Sequence, residues 1–279
     1  MGGSVSVDVR KHFDGIASTY YDIVDRVWYD VGYYHKKEAE FLAATIARQC
    51  HLAIDVGCGP GRHTASLAAS ARRVIAVDIS RRMLERTMEN APSRLRSRID
   101  VIQADVRFLP FKSSVVDFVQ NIEVLEHLPG AVRDVERAVE ELRRILRPGG
   151  TLVTEVPLSR HAWWSRLGFR AASWKEIPEW MRDKFYRQFP LTVDHSYHDE
   201  ELERIFVKAG LRKIRKGFVR VLPAGLIEGH APLESIDRLM ERLPVVNRCS
   251  REAIWELEAV NRGRTHGGGV PKPIAGGAA

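Results

Sequence analysis

The chain has 279 residues, 44% hydrophobic and 28% charged, a composition that builds a core and excludes a disordered chain. Its formal net charge of +7 and isoelectric point near 9.4 admit an anionic partner such as RNA or a membrane surface, although Lys and Arg are interleaved with Glu along the chain. No run approaches the ~18 apolar residues of a membrane span, the opening MGGSVSVDVRKHFDG lacks the apolar stretch of a secretory leader, and the scattered Cys50, Cys58 and Cys249 give neither a disulfide framework nor a zinc site, so a cytoplasmic location is expected.

Residues 10–48 read as helical, with an aromatic-rich face and no proline. LAIDV (52–56) is a short apolar strand, GCGPG turns the chain, and HTASLAAS starts a helix. RVIAVD (73–78) is a second strand ending in Asp78, followed by a helix from Arg81 to Asn90. IDVIQ (99–103) is a third strand, ADVRFLPFKSS a loop and VVDFVQ (115–120) a fourth strand. VRDVERAVEELRRILR is an amphipathic helix stopped by Pro148, Gly149 and Gly150, and TLVTEVP (151–157) is a fifth strand. Residues 158–198 break the rhythm: four of the six Trp (Trp163, Trp164, Trp174, Trp180) lie here, with seven Lys/Arg against four acids. HDEELERIFVKAG (198–210) is a helix capped by Gly210. A strand near 211–221, a helix near 232–242 and a last strand at 252–261 follow; in the last, Ala253, Trp255, Leu257 and Ala259 alternate with Glu256 and Glu258.

Strands and helices in alternation predict an α/β fold: a Rossmann-like, seven-stranded, mostly parallel sheet with helices on both faces. Its ligand crevice belongs at the carboxyl ends of the strands. The expected organisation is a single domain over residues 1–262. It comprises a helical cap (1–50), a binding core (51–157), an inserted aromatic lid (158–198) and the C-terminal part of the sheet (199–262), with a disordered tail at 263–279.

A strand, a glycine-rich turn and a helix N-terminus make a nucleotide-type site. The dinucleotide fingerprint G-x-G-x-x-G is not met: Gly57, Gly59 and Gly61 give G-x-G-x-G, and Arg62 stands where the third glycine is wanted. A GxxxxGK[ST] loop is absent too, so the turn is not made for a pyrophosphate. Asp78 follows Asp55 by 23 residues, the separation at which a carboxylate takes two ribose hydroxyls. Asp105, in QADV, can accept from an exocyclic adenine amine. Ribose and adenine without pyrophosphate fit S-adenosyl-L-methionine, its amino-acid end at the loop.

In these pieces the sequence resembles a class I S-adenosylmethionine-dependent methyltransferase. LAIDVGCGPGRHT, VIAVDIS, DVIQADVRFLPFKSSVVDFV, NIEVLEHL and LRRILRPGGTLVTEVP stand in the family's order over roughly residues 50–157, and HSYHDEELERIFVKAGL is similar to its region after strand five. FDGIASTYYD resembles the opening of quinone-biosynthesis and related small-molecule methyltransferases. The resemblance implies that Asp55, Gly57, Cys58, Gly59 and Gly61 form the methionine end of the site and that Asp78 binds ribose. It also implies that Asp105 and Val106 contact adenine, that Ile79 and Met83 pack on adenine or ribose, and that Asn121 faces the methyl donor. The product would be S-adenosyl-L-homocysteine.

Methyl transfer from a sulfonium is a direct displacement, in which the protein aligns and desolvates the nucleophile. EVLEH (123–127) places Glu123, Glu126 and His127 at i, i+3 and i+4, one face if the segment is helical. Such a set suits a divalent metal. The pattern resembles those of metal-dependent ubiquinone O-methyltransferases and of small-RNA 2′-O-methyltransferases; the latter add a downstream His, for which His195 or His198 is the candidate. The other readings are His127 as a base or substrate-orienting group and a structural role for the segment. His195 and Tyr20 complete the catalytic candidates.

The aromatic lid suits a small, hydrophobic or aromatic acceptor: a quinone precursor, a lipid or a natural product. Its Arg and Lys content suits a carboxylate, a phosphate head group or a peripheral membrane contact. The alternatives are an RNA or protein methyltransferase, since the same mixture stacks and neutralises RNA although no separate RNA-binding module is present, and a non-catalytic adenosylmethionine-binding or interaction protein, against which the intact donor motifs argue. No DNA partner is expected. C-, N- and O-methylation share the scaffold, so the donor motifs do not select the acceptor atom, and the oligomeric state stays open.

Overall fold

A computed structural model describes residues 8–20, 31–46, 50–158, 195, 197–218, 235–236, 238–239 and 252–260. Two helices lead, α1 (Val9–Ile16) and α2 (Val31–Thr45). The sheet follows as β1 (Leu52–Val56), α3 (Thr64–Ser70), β2 (Arg73–Asp78), α4 (Arg81–Asn90), α5 (Ser93–Arg96), β3 (Ile99–Gln103) and β4 (Val116–Asn121). A 3₁₀ turn (Leu125–His127), α6 (Ala131–Ile145), β5 (Leu146–Pro157), α7 (Asp199–Ala209), β6 (Leu211–Phe218) and β7 (Glu252–Ala259) complete it.

The seven strands form one sheet in the order β3-β2-β1-β4-β5-β7-β6. The first five are parallel, and β7 runs antiparallel to both β5 and β6. Helices cover both faces, so β1 reads as a continuous apolar run. Its side chains still alternate: Ile54 and Val56 enter one core cluster, Ala53 the other. Helix α6 presents Val135, Ala138, Val139, Leu142 and Ile145 to the first cluster at three- and four-residue spacing. Strand order reverses at β1, which pairs with β2 on one side and β4 on the other. A ligand crevice opens at such a reversal, beyond the carboxyl ends of the strands.

The structure adjusts several expectations. The helical reading of 10–48 contains a break, since α1 ends at Ile16 and turn residues follow. The Pro-Gly-Gly stretch does not separate α6 from β5: the helix stops at Ile145, and Leu146 already pairs with Val116. A bulge between Val116 and Phe118 absorbs the irregularity. Gly210 does end α7, in the left-handed conformation, and its N–H reaches Val207 O and Phe206 O. Residues 159–194 of the expected lid, most of the 232–242 helix and the 263–279 tail lie outside the described residues. Among the described residues, no helix is long and apolar enough to cross a membrane.

Trp255, at the middle of β7, is fully buried and meets Phe206 of α7 edge-to-face at 5.7 Å between ring centroids. Trp255→Ala should therefore cost about 3–5 kcal/mol of stability, read as a fall in the urea unfolding midpoint. A loss under about 1 kcal/mol, the level of an ordinary surface change, would show that β7 is not the packed centre described.

Candidate active site

A cavity of about 310 Å³ opens at the carboxyl ends of β1, β2, β3 and β4. One wall starts with the glycine turn. Gly57, Gly59 and Gly61 all have positive φ (74°, 52° and 90°), a region that disfavours side chains. At two of them space is short as well. A Cβ on Gly57 would lie 2.2 Å from Val124 Cγ2, and one on Gly61 would lie 3.0 Å from Thr87 Cγ2. The turn is held from below: Gly57 N and Cys58 N donate to Val77 O at 2.7 and 3.0 Å, and Thr64 Oγ1 donates to the buried Asp55 at 2.5 Å. Burial raises the Asp55 carboxyl above its usual range, against the bond from Thr64.

Asp78 ends β2 on the cavity wall. Gly59 N donates to its Oδ2 (2.9 Å) and Ser80 N to its Oδ1 (2.8 Å). Burial nevertheless pushes its pKa up to about 6, with Asp55 and Asp14 adding to the rise and the two N–H groups opposing it. Ile79 and Val106 give the wall its apolar surface, and Asp55, Gly57, Cys58 and Asp105 also reach it. Both oxygens of Asp105 accept from Arg107, at distances down to 2.6 Å. Despite partial burial, these bonds hold the Asp105 carboxyl below its usual range. Arg107 bridges on to Asp134 of α6 at 2.6 Å and itself lines the cavity.

Several expected residues stand behind the wall rather than on it. Gly59 and Gly61 shape the turn without lining the cavity, and Met83 is fully buried beneath it. Asn121 does not face the cavity: fully buried, its Nδ2 donates to Val56 O (3.0 Å), and its Oδ1 accepts from Thr154 Oγ1 (3.3 Å). It locks β1, β4 and β5 together. The buried Cys58 thiol is pushed well up by its burial and by the neighbouring Asp78 and Asp55, which disfavours the thiolate.

The opposite wall brings Tyr20, Glu123 and His127 together. Phe13 of α1 meets the His127 ring edge-on at 5.3 Å. The Tyr20 hydroxyl is pushed far up, first by burial and then by Glu123. The EVLEH segment is not a helix. Glu123 has φ +54°, and only Leu125–His127 turns, as 3₁₀, so the shared helical face expected of Glu123, Glu126 and His127 does not form. Glu123 Oε2 accepts instead from Arg62 at 2.9 Å, and Glu126 is buried off the wall. Among the described residues, no group of three or more His, Cys, Asp or Glu side chains is placed to hold a metal ion. His195 is also off the wall; its N–H donates to Glu126 O at 2.9 Å. His198 caps α7.

Sequence reasoning missed Phe13, Arg62 and Arg107 as wall residues. Arg62 had a signal, as the residue that breaks the dinucleotide fingerprint. Phe13 and Arg107 had none beyond a place in a helical stretch and in a loop. Helix α1 is seated by Asp14, whose carboxylate accepts from Ser80 Oγ at 2.6 Å; Ser80 is itself the N-cap of α4.

A seven-stranded sheet in the order β3-β2-β1-β4-β5-β7-β6 with β7 antiparallel, a left-handed glycine turn after β1 and a wall-lining carboxylate at the end of β2 together make the arrangement of a class I methyltransferase fold. The sequence pattern of a methyltransferase domain family matches residues 54–154. Over 220 residues the chain is 30% identical to a demethylmenaquinone methyltransferase of Symbiobacterium thermophilum, an alignment covering 72% of this chain and 84% of that one. It is 37% identical to a probable S-adenosylmethionine-dependent methyltransferase of Mycobacterium tuberculosis over 37% of this chain and 35% of the relative. The chain thus spans about a third of the length of some relatives it matches. The crystal structure of magnesium protoporphyrin IX methyltransferase from Synechocystis has a similar fold (TM-score 0.57, 19% identity, 90% of this chain and 97% of that one covered). The chain belongs to the S-adenosylmethionine-dependent methyltransferase family.

The residues present fit that donor: a tight glycine turn whose lack of side chains lets a ligand approach, a wall-lining carboxylate that suits ribose hydroxyls, and apolar Ile79 and Val106 that suit the adenine. Asp78→Ala should weaken S-adenosylhomocysteine binding by about 1.5–3 kcal/mol, as for charge-assisted hydrogen bonds, measured by calorimetry. Unchanged affinity would refute the assignment. A carboxyl raised from 3.8 to about 6 makes the ligand-free fold bind this proton more tightly than the unfolded chain does. Its contribution to stability is full below 3.8 and is lost as pH rises through about 6. Ribose binding favours the carboxylate, so affinity should move the other way, falling as pH drops through about 6, while Asp78→Asn flattens that titration.

Proposed function

We propose that the protein transfers a methyl group from S-adenosylmethionine to a small hydrophobic or aromatic acceptor of the quinone, lipid or natural-product kind. One observation carries the reading: a single cavity joins the donor wall to Phe13, Leu128 and Pro129, with Tyr20, Arg62, His63, Glu123 and His127 as polar groups beside them. That is the composition of a small-molecule site, apolar with a few convergent polar atoms. The family member that aligns over 84% of its length is a demethylmenaquinone methyltransferase, which supports a quinone-type acceptor. The RNA alternative finds less support. The basic strand β6 spends its charge internally: Arg212 pairs with Glu258, Lys213 with Glu203, Arg215 with Glu256 and Lys216 with Asp199.

When bound, the donor supplies a sulfonium methyl whose departure leaves a neutral thioether. The chain's task is to hold ribose at Asp78, pack Ile79 and Val106 on the adenine, and exclude water beneath α1. Glu123 and His127 are the groups that orient the acceptor. Where the acceptor loses a proton as its new bond to carbon forms, Glu123 is the base proposed to receive it.

The test is label transfer from methyl-labelled S-adenosylmethionine into separated lipid, small-molecule, RNA and protein fractions of a host extract. Label is expected in the lipid or small-molecule fraction; label confined to RNA or protein would sink the reading. In the labelled fraction, Glu123→Gln should lower kcat by about 100-fold, the scale of a lost general base.

A further inference from the structure

We infer that Arg62 is the positioning residue of the acceptor site, acting through Glu123. The inference rests on the reading above and gives Arg62, itself on the cavity wall, a role exerted through Glu123.

Arg62 stands directly after the glycine turn, where the chain enters α3. Its Nη2 lies 2.9 Å from Glu123 Oε2 and 3.3 Å from Glu38 Oε2. Its Nε lies 3.1 Å from His63 Nε2, and that nitrogen lies 3.0 Å from Glu38 Oε2. One guanidinium therefore joins three elements: α2 through Glu38, the donor turn through its own backbone, and the exit of β4 through Glu123. Burial opposes the charge on Arg62, but Glu123, Glu38 and Tyr20 outweigh that and raise its pKa.

The two carboxylates differ in what they face. The Glu38 side chain is fully buried, whereas that of Glu123 is 27% exposed and lines the cavity. A purely structural arginine needs only the buried partner. The second bond reaches a residue whose backbone is held at φ +54°, a conformation that costs a non-glycine residue of order 1 kcal/mol and persists only when its surroundings impose it. Arg62 imposes it. Its Nη2 contacts Glu38 and Glu123 together, so the direction of the Glu123 carboxylate is set by a group anchored on α2. Tyr20 lies in the field of both, raised by Glu123 and lowered by Arg62. The acceptor-side polar atoms are thus aligned from the donor turn itself.

The experiment compares Arg62→Gln, Arg62→Lys and Arg62→Gln combined with Glu38→Gln in the full chain. The paired variant removes the buried carboxylate that Arg62→Gln would strand, so it keeps the fold testable. Crystal structures with S-adenosylhomocysteine read the position of Glu123 without any acceptor. Its carboxylate is expected to leave the cavity wall and its φ to relax to negative values in both Gln variants, and to stay in place with Lys. Calorimetry with S-adenosylhomocysteine should show less than about a threefold change in affinity, under 1 kcal/mol. In the acceptor fraction that the wild type labels, kcat should fall about 100-fold in the Gln variants, with partial rescue by Lys. Arg62→Gln added to Glu123→Gln should cause no further loss, because the two act as one unit. Glu123 unmoved in the Gln variants, or additive losses, would overturn the inference. Absence of label transfer by the wild type would count against the proposed function alone, because the crystal structures still decide the role of Arg62.

Discussion

Gly57 has room for a hydrogen and nothing more. Val124 closes over it from the segment that follows β4, so the donor turn and the acceptor wall are in van der Waals contact rather than separated by a spacer. Everything else in the site is organised around that approach. Asn121 ties the ends of β1 and β4 directly below it, Val77 O receives two N–H groups of the turn, and Arg62 bridges the two walls. Direct displacement needs its two reactants held in line with little freedom, and the contact of the Val124 side chain with Gly57 fixes the two walls relative to each other.

The charges follow the same economy. Asp55 and Asp78 are both buried, and that burial raises both by disfavouring the charged form, a cost that a nearby cationic ligand would offset. Two of the arginines lining the cavity are matched by acids: Arg62 by Glu38 and Glu123, and Arg107 by Asp105 and Asp134. The chain's excess of positive charge therefore does not converge on the cavity through these residues. Helix α1 shows the complementary strategy. None of its residues is fully buried, and it is seated by Asp14 on the N-cap of α4 and by Phe13 on His127. A cover held this way can lift without unpacking a core.

Much of the sheet was legible in the sequence, because buried parallel strands are short apolar runs and the helices between them keep a 3.6-residue period. The strand limits at β1, β2 and β3 agree to the residue. The turn glycines and Asp78 were legible for a related reason: positive φ and a strand-terminal acid are local properties. What failed depended on distant partners. EVLEH has helical spacing, but Glu123 stands at φ +54° with its carboxylate bonded to Arg62, 61 residues earlier. Asn121 ends a strand that points at the cavity, yet its amide is spent on Val56 and Thr154. Pro148 and the two glycines look like a stop, but pairing with β4 begins before them. Side-chain direction at the site is tertiary information, and a pattern of residue types does not contain it.

Strand β7 lies between β5 and β6 although it is the last of the three in the chain. During synthesis, β1 to β5 and the donor site emerge first and can pair as a parallel half-sheet, whereas β6 has no neighbour in the sheet until β7 arrives. The edge of β5 must stay open over the roughly hundred residues between them, about 5–20 s at ordinary elongation rates. The nascent chain thus presents an unpaired apolar edge after its ligand site is built. Donor present in the cell at that moment can bind and stabilise the half-made sheet, so the cosubstrate can also act as a folding aid for its own enzyme.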